Sequence, residues 1–253
     1  MSNRRHFLRK IAMAGTATYL LPDMTYAAAE KNDLSQSDKS PKIFLFQGDS
    51  ITDGGRSFDK DWNHVFGQGY VYLITSRVNY EYPDRDYKLF NRGISGNTID
   101  DLASRWQKDT IDIKPDILSI LVGINDVQAV IKGTSKATAD DFGNKYDKLL
   151  QQTITELPGI QLIMNEPFIL PVGMVKDNLT SWTNELQKRQ DILKNLAVKY
   201  DAVYVPLQKA FNKALKKAPA DHWIWDGIHP MPAGHELIAR EWLQFANKRF
   251  NIL

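Results

Sequence analysis

Few side chains in this sequence are able to do covalent chemistry. Ser50 follows the apolar run Ile43-Phe44-Leu45-Phe46 by way of Gln47-Gly48-Asp49, and a polar, glycine-containing loop lies beyond it. A serine hydroxyl acts as a nucleophile only beside a base, with an acid to orient that base and donors for the developing oxyanion. Past the first 30 residues the histidines are His64, His222, His229 and His235. His64 lies in the long loop after Ser50, and His222 stands just ahead of Trp223 and Trp225. His235 falls inside a helical pattern, where a satisfied surface histidine is expected. His229 stands three residues after Asp226, in the turn Asp226-Gly227-Ile228-His229-Pro230. That spacing lets the carboxylate fold back and fix the imidazole tautomer. The sequence has no cysteine, which excludes a thiolate nucleophile, thiolate metal ligation and disulfides together.

Several elements must bring these groups into one place. Residues 43–46 read as a strand buried on both faces. Further strands are expected at 87–91, 116–122, 160–164 and 202–205, and helices at about 69–78, 98–108, 138–156, 180–200 and 232–250. The helix at 98–108 sets Ile99, Leu102 and Trp106 on one face. Strands alternating with helices predict one parallel sheet covered on both faces. All strand ends of such a sheet fall on one edge, where open α/β sheets bind their ligands. Three strands end there in polar, glycine-punctuated loops, at Ser50, at Gly96-Asn97 and at Asn125-Asp126. These groups can therefore converge.

Composition narrows the class. The 253 residues are 43% hydrophobic and 25% charged, ordinary globular usage that suits one sizeable α/β domain. Formal net charge is +2, part of it from the basic N-terminus, and no Lys/Arg stripe points to nucleic acid. No group of His, Asp or Glu has metal-ligand spacing, and the glycine-rich loops match neither phosphate-binding fingerprint. No metal or cofactor is expected. Residues 1–29 have the layout of an export signal: basic residues, a modest apolar run over 11–21, then Ala27-Ala28-Ala29. The pair Arg4-Arg5, with Phe7-Leu8 after it, resembles a twin-arginine signal. The apolar run is short for a membrane span, and without cysteine a lipid anchor is excluded there. A polar tether over 30–40 then leads into a domain over 41–253. The mature chain is expected in the periplasm or outside the cell, without stable membrane insertion.

Four blocks occur in order: Gly48-Asp49-Ser50, Gly93-Ile94-Ser95-Gly96-Asn97, Gly123-Ile124-Asn125-Asp126 and Asp226-Gly227-Ile228-His229-Pro230. Together they resemble the GDSL esterase, or SGNH hydrolase, family over about residues 42–246. The resemblance implies a flavodoxin-like, three-layer α/β/α sandwich with a five-stranded parallel sheet. It implies Ser50 as nucleophile, His229 as general base and Asp226 as the residue orienting it. It also implies an oxyanion hole formed by the Ser50 and Gly96 amides and the Asn125 side chain. Ile51 replaces the leucine of the family name, a conservative change. No Gly-x-Ser-x-Gly elbow occurs.

Other residues near the blocks invite weaker readings. Trp223 and Trp225 could wall a sugar site or simply pack, and Trp62 and His64 could line a substrate pocket. Arg56 reads as a solvated loop charge that could also meet a substrate carboxylate. Asp49, Asp126 and Glu166 read as loop-ordering carboxylates. The expected activity is removal of short acyl groups, above all O-acetyl, from carbohydrate, as in exported relatives of this kind. The loop tryptophans and the lack of an apolar lid favour that substrate. The alternative is a lipolytic or aryl esterase, or a lysophospholipase, acting on short-chain esters. A carbohydrate-binding protein with a vestigial site, or an acyltransferase, would be further alternatives. Oligomeric state is not encoded in any of these features.

Overall fold

The structure is a computed structural model and describes residues 42–59 and 64–250. The export-signal and tether expectations, and Trp62, lie outside the described residues. The first strand, β1, spans Ile43–Gly48 and runs into a single helical turn, α1, at Ser50–Asp53. Then follow α2 (Tyr70–Glu81), β2 (Lys88–Asn91), α3 (Ile99–Asp109), β3 (Ile117–Leu121) and α4 (Ile124–Ile131). The second half comprises α5 (Ala139–Glu156), β4 (Gln161–Asn165), α6 (Gly173–Lys176), α7 (Leu179–Lys199), β5 (Val203–Val205), α8 (Leu207–Ala214), α9 (Ala220–Trp223) and α10 (Pro232–Phe250).

The five strands form one sheet in the order β2-β1-β3-β4-β5, every pairing parallel. Gly48 at the end of β1 pairs with Leu121 at the end of β3, so the loops carrying Ser50 and Asn125 leave the sheet side by side. Strand alternation divides the interior into two cores. Phe44, Phe46, Ile117 and Ile163 face a core that also buries Val71 and Ile74 of α2 and Trp242 of α10. Leu45, Leu118, Ile120 and Met164 face the other, with Leu102 and Trp106 of α3, Tyr146 of α5 and Leu193 of α7. The result is the expected α/β/α sandwich.

Local chemistry explains two of the longer helix starts. Thr98 and Thr138 each form a capping box with the aspartate three residues on, Asp101 and Asp141, starting α3 and α5 where the apolar pattern begins. Helix α4 was not expected from sequence. It is eight residues long and begins directly at Gly123, so the strand-end motif obscures its spacing of Ile124 and Val127. The short α1, α6 and α9 are single turns within loops, shorter than any reliable periodicity. One polar pin crosses the first core: Trp242 Nε1 donates to Ser119 Oγ at 2.9 Å, joining α10 to the central strand.

Candidate active site

Ser50 is the first residue of α1, and its turn is secured from several directions. Asp49 is the N-cap and accepts from the Ile51 amide at 3.0 Å. Burial pushes the Asp49 carboxyl up to about 7, with the Ile51 hydrogen bond opposing the rise and nearby Asp126 adding to it. Asn91, at the end of β2, donates from Nδ2 to the carbonyls of Thr52 at 2.7 Å and Phe66 at 3.0 Å. These contacts fix the turn. The Ser50 N–H is among the first amides of that turn, which lack intrahelical acceptors.

Ser50 Oγ lies 2.8 Å from Nε2 of His229, 179 residues away in sequence. His229 Nδ1 lies 2.6 Å from Asp226 Oδ2. The other Asp226 oxygen accepts from the main-chain amides of Ile228 at 3.0 Å and His229 at 2.8 Å. Burial would raise the Asp226 carboxyl, but the hydrogen bonds from the His229 ring, the His229 amide and the Ile228 amide hold it below the usual range. An ionised carboxylate only accepts, so the imidazole proton sits on Nδ1 and Nε2 is left to accept from the serine hydroxyl. The spacing of three residues does what the sequence suggested.

The turn carrying Asp226 and His229 is clamped at both ends. Ile224 and Pro230 form an antiparallel bridge, with Trp225 N–H donating to the His229 carbonyl at 3.1 Å and Met231 N–H to the Trp223 carbonyl at 2.8 Å. The loop after β4 lies against it, with Met174 N–H on the Asp226 carbonyl at 2.9 Å and Leu170 N–H on the Gly227 carbonyl at 3.0 Å. Gly173 makes this approach possible, since a Cβ there would lie 2.3 Å from the Asp226 carbonyl oxygen.

The opposite wall is formed by the 93–97 loop and the start of α4. Gly96 is exposed with φ of +84°, a left-handed conformation that suits glycine, and no heavy atom lies within 4 Å of where its Cβ would stand. Asn125 donates from Nδ2 to the Asn97 carbonyl at 3.0 Å, which brings its amide to this loop and leaves its second N–H available. Asp126 accepts from the Ile99 amide. Burial raises its carboxyl to about 6 against that hydrogen bond and the charge of Arg189. Asp53 ties this loop to the Ser50 turn, its Oδ2 accepting from Ser95 N at 3.2 Å and Ser95 Oγ at 2.6 Å.

Several expectations need correction. Arg56 is not a solvated charge: its side chain is 6% exposed, donates to the Gly93 carbonyl at 2.8 Å and lies 4.1 Å from the Phe58 ring centroid. His235 is not a surface residue either. It is half-buried, and its Nδ1 accepts from the Tyr70 amide at 3.2 Å. Burial above all, with the electrostatic influence of the His229 ring second, lowers its pKa to about 4, so it is neutral. The two tryptophans part company. Trp223 is partly buried against the first core and donates from Nε1 to the Ala218 carbonyl, so it packs rather than walls a site. Trp225 is 61% exposed, its ring stacked on His229 at 6.0 Å. The His64 carbonyl accepts from Ser57 and Gly67 amides, closing the loop after Ser50, while the residue itself is exposed. Glu166 orders its loop as expected, accepting from Tyr204 Oη and Gln208 N.

Sequence reasoning passed over Asp53, Asn91, Asn97 and Arg105, which hold the site without lying in it. Asn97 was visible only as the last residue of a motif, and Arg105 only as a charge on an amphipathic helix. Among the described residues no group of three His, Asp or Glu side chains could hold a metal ion. No helix among them is long and apolar enough to cross a membrane.

Comparison with known proteins places this arrangement. The profile of the GDSL-like lipase/acylhydrolase family matches residues 46–237. An acetylxylan esterase from Geobacillus stearothermophilus is 32% identical over 209 residues, covering 81% of this chain and 94% of that one. A crystal structure of an acetylxylan esterase from that organism superposes with a TM-score of 0.72 at 32% identity, covering 81% of this chain and 94% of that one. A proposed GDSL-like lipase from Parabacteroides merdae superposes with a TM-score of 0.78 at 33% identity, covering 83% of this chain and 99% of that one. An alpha/beta hydrolase from the metagenome of Lake Arreo, Spain, gives 0.73 at 28% identity, covering 83% and 97%.

Proposed function

The chain belongs to the GDSL-like lipase/acylhydrolase family and is a carboxylic ester hydrolase, and we propose that it removes O-acetyl groups from carbohydrate through an acyl-enzyme on Ser50. The observation that carries the proposal is the hydrogen-bonded relay Ser50 Oγ to His229 Nε2 to Asp226, at 2.8 and 2.6 Å. In the proposed mechanism His229 takes the hydroxyl proton as Ser50 Oγ attacks the ester carbonyl. Asp226 stabilises the imidazolium that forms, and its depressed pKa keeps it ionised for that purpose. The tetrahedral oxyanion is received by the amides of Ser50 and Gly96 and by Asn125 Nδ2. His229 then protonates the departing sugar oxygen, deprotonates the water that attacks the acetyl group, and returns that proton to Ser50 Oγ as acetate leaves.

The choice of acetylated carbohydrate is supported by the relationship to an acetylxylan esterase. It is also supported by Trp225, whose exposed ring beside His229 offers an apolar face to a pyranose. The proposal extends to location. The twin-arginine-like leader over residues 1–29 sends the enzyme out of the cytoplasm, to where a polysaccharide too large to enter the cell is met.

The deciding experiment compares the enzyme with Ser50→Ala on acetylated xylan and on p-nitrophenyl acetate, butyrate and octanoate. Acetate release from xylan that is lost in the variant, with activity falling beyond acetyl, is expected. Preference for octanoate with silence on xylan would make it a lipolytic esterase. Equal rates for variant and wild type would remove Ser50 from the mechanism. Cell fractionation with N-terminal sequencing of the mature protein tests the location.

A further inference from the structure

Asn97 is held at both ends. Its main-chain carbonyl accepts from Asn125 Nδ2 at 3.0 Å, and its side-chain Oδ1 accepts from Arg105 Nε at 2.8 Å. Arg105 comes up from α3, with its side chain only 14% exposed. Its other donor atoms meet the strand ends around the nucleophile and Asp109 of its own helix. Nη1 meets Gln47 Oε1 at 2.8 Å, the Arg92 carbonyl at 2.9 Å and Asp109 Oδ2 at 3.2 Å. Nη2 meets the Gly48 carbonyl at 3.2 Å, two residues before Ser50. One guanidinium therefore touches the ends of β1 and β2 and the residue that follows Gly96.

We propose that Arg105 is a positioning residue for the oxyanion hole: through Asn97 it sets Gly96 and Asn125 against Ser50. This rests on the roles proposed above for those three residues. A planar guanidinium presents its donors in fixed directions, so the contacts that Arg105 makes define distances between separate segments. A lysine, with a single donor atom, cannot span them. The helix beneath is itself rigid. Thr98 and Asp101 cap its start, and Trp106 Nε1 donates to Thr153 Oγ1 of α5 at 3.0 Å. Asp109 lies beside the guanidinium and balances its charge. Misplacing a catalytic donor by about 1 Å can cost about 100-fold, so a clasp of this kind acts on turnover without touching substrate.

The test measures kcat and KM on p-nitrophenyl acetate for Arg105→Gln, Arg105→Lys, Asn97→Ala, Asn125→Ala and the Arg105→Gln/Asn125→Ala double variant, with active sites counted by end-point fluorophosphonate labelling. Arg105→Gln and Arg105→Lys are expected to lower kcat per labelled site roughly 10- to 100-fold, with KM within about twofold. The shape of the pH–rate profile stays, because the His229–Asp226 pair is untouched. In the Asn125→Ala background the Arg105→Gln change should cost several-fold less than in the wild type, since one of the two donors it sets is already gone and only its effect on Gly96 is left. Losses that multiply in the double variant would overturn the proposal. So would a loss seen only as fewer labelled sites at unchanged kcat. If Arg105→Gln does not fold, Asn97→Ala, which removes only the accepting end, carries the same expectations alone and with Asn125→Ala. Should Asn125→Ala or Ser50→Ala keep wild-type turnover, the serine mechanism itself fails. If those two fall as expected while the Arg105 variants do not, only the role of Arg105 is lost.

Discussion

The two walls of the site are built in different ways. The acid–base wall is local: Asp226 reaches the ring and amide of His229 three residues on and the amide of Ile228 two residues on. The oxyanion wall is assembled from distant parts of the chain. Asn125 reaches Asn97 across 28 residues, Ser95 reaches Asp53 across 42, and Arg105 reaches Gly48 and Gln47 across 57 and 58. A five-residue turn can keep its internal geometry in many settings. The opposite wall has its geometry only once the sheet has formed, because β1 and β3 set Ser50 and Asn125 side by side. The difference separates a wall specified by sequence spacing from one specified by topology.

Four measurements would break or sharpen that contrast. The largest effect is expected for Asp226→Asn, which keeps the shape of the turn but turns the wrong face of the histidine to the serine. Its kcat on p-nitrophenyl acetate should fall about 10³- to 10⁴-fold with thermal stability nearly unchanged. A large drop in melting temperature would show that the turn is not self-sufficient. Next comes Asn125→Ala, expected to reduce kcat about 10²- to 10³-fold and to leave the pH–rate profile in place. A shifted profile would mean that the two walls are electrostatically one.

The third concerns His235, which joins α10 to the start of α2. Its folded pKa of about 4 lies below the ordinary value of 6.5 because burial disfavours the cation. The unfolded chain therefore binds a proton that the folded chain refuses between those values. The stability is present in full above pH 6.5 and is lost as pH falls toward 4, by on the order of 3 kcal/mol. His235→Asn keeps an acceptor for the Tyr70 amide without that titration. Urea unfolding at pH 4.5 and 7.5 should show a smaller acid loss in the variant than in the wild type. An equal loss in both would place the acid sensitivity elsewhere. The smallest effect is expected at the outer face. Trp225→Ala should lower kcat/KM on acetylated xylan about 10-fold, on the scale of a lost aromatic contact, and on p-nitrophenyl acetate by less than about twofold. Equal losses on both would make Trp225 a support for His229 rather than a sugar contact.

The same contrast explains what could be read from the chain beforehand. The five strands, the major helices and the three residues of the relay were legible because each rests on a short-range signal. These signals are apolar runs, the helical spacing of Ile99, Leu102 and Trp106, a carboxylate three residues before a histidine, and for Ser50 the ordered blocks that resemble the family. Arg105, Asn97 and Asp53 were not legible. Nothing within ten residues of Arg105 marks Gly48 or Gln47 as its partners, and its position on α3 beside Trp106 looks like any half-exposed charge. Arg56 misled for the same reason. A lone loop arginine is ordinarily solvated, and only the fold brings the Gly93 carbonyl and the Phe58 ring to it. The pair at 223 and 225 shows the limit of spacing from the other side, since alternate positions take opposite environments.

The backbone contact at Gly173 has a consequence for how such an enzyme can diverge. With the Asp226 carbonyl oxygen 2.3 Å from where a side chain would begin, any single change at 173 forces the loop after β4 and the relay turn apart. A side chain at 173 could therefore be accepted only together with a compensating shift of the relay turn. The space around Gly96 carries no such restriction from neighbouring atoms. Single substitutions beside Gly96 would therefore meet less resistance from packed backbone than those at 173, while Gly96 itself is held to glycine by its φ of +84°.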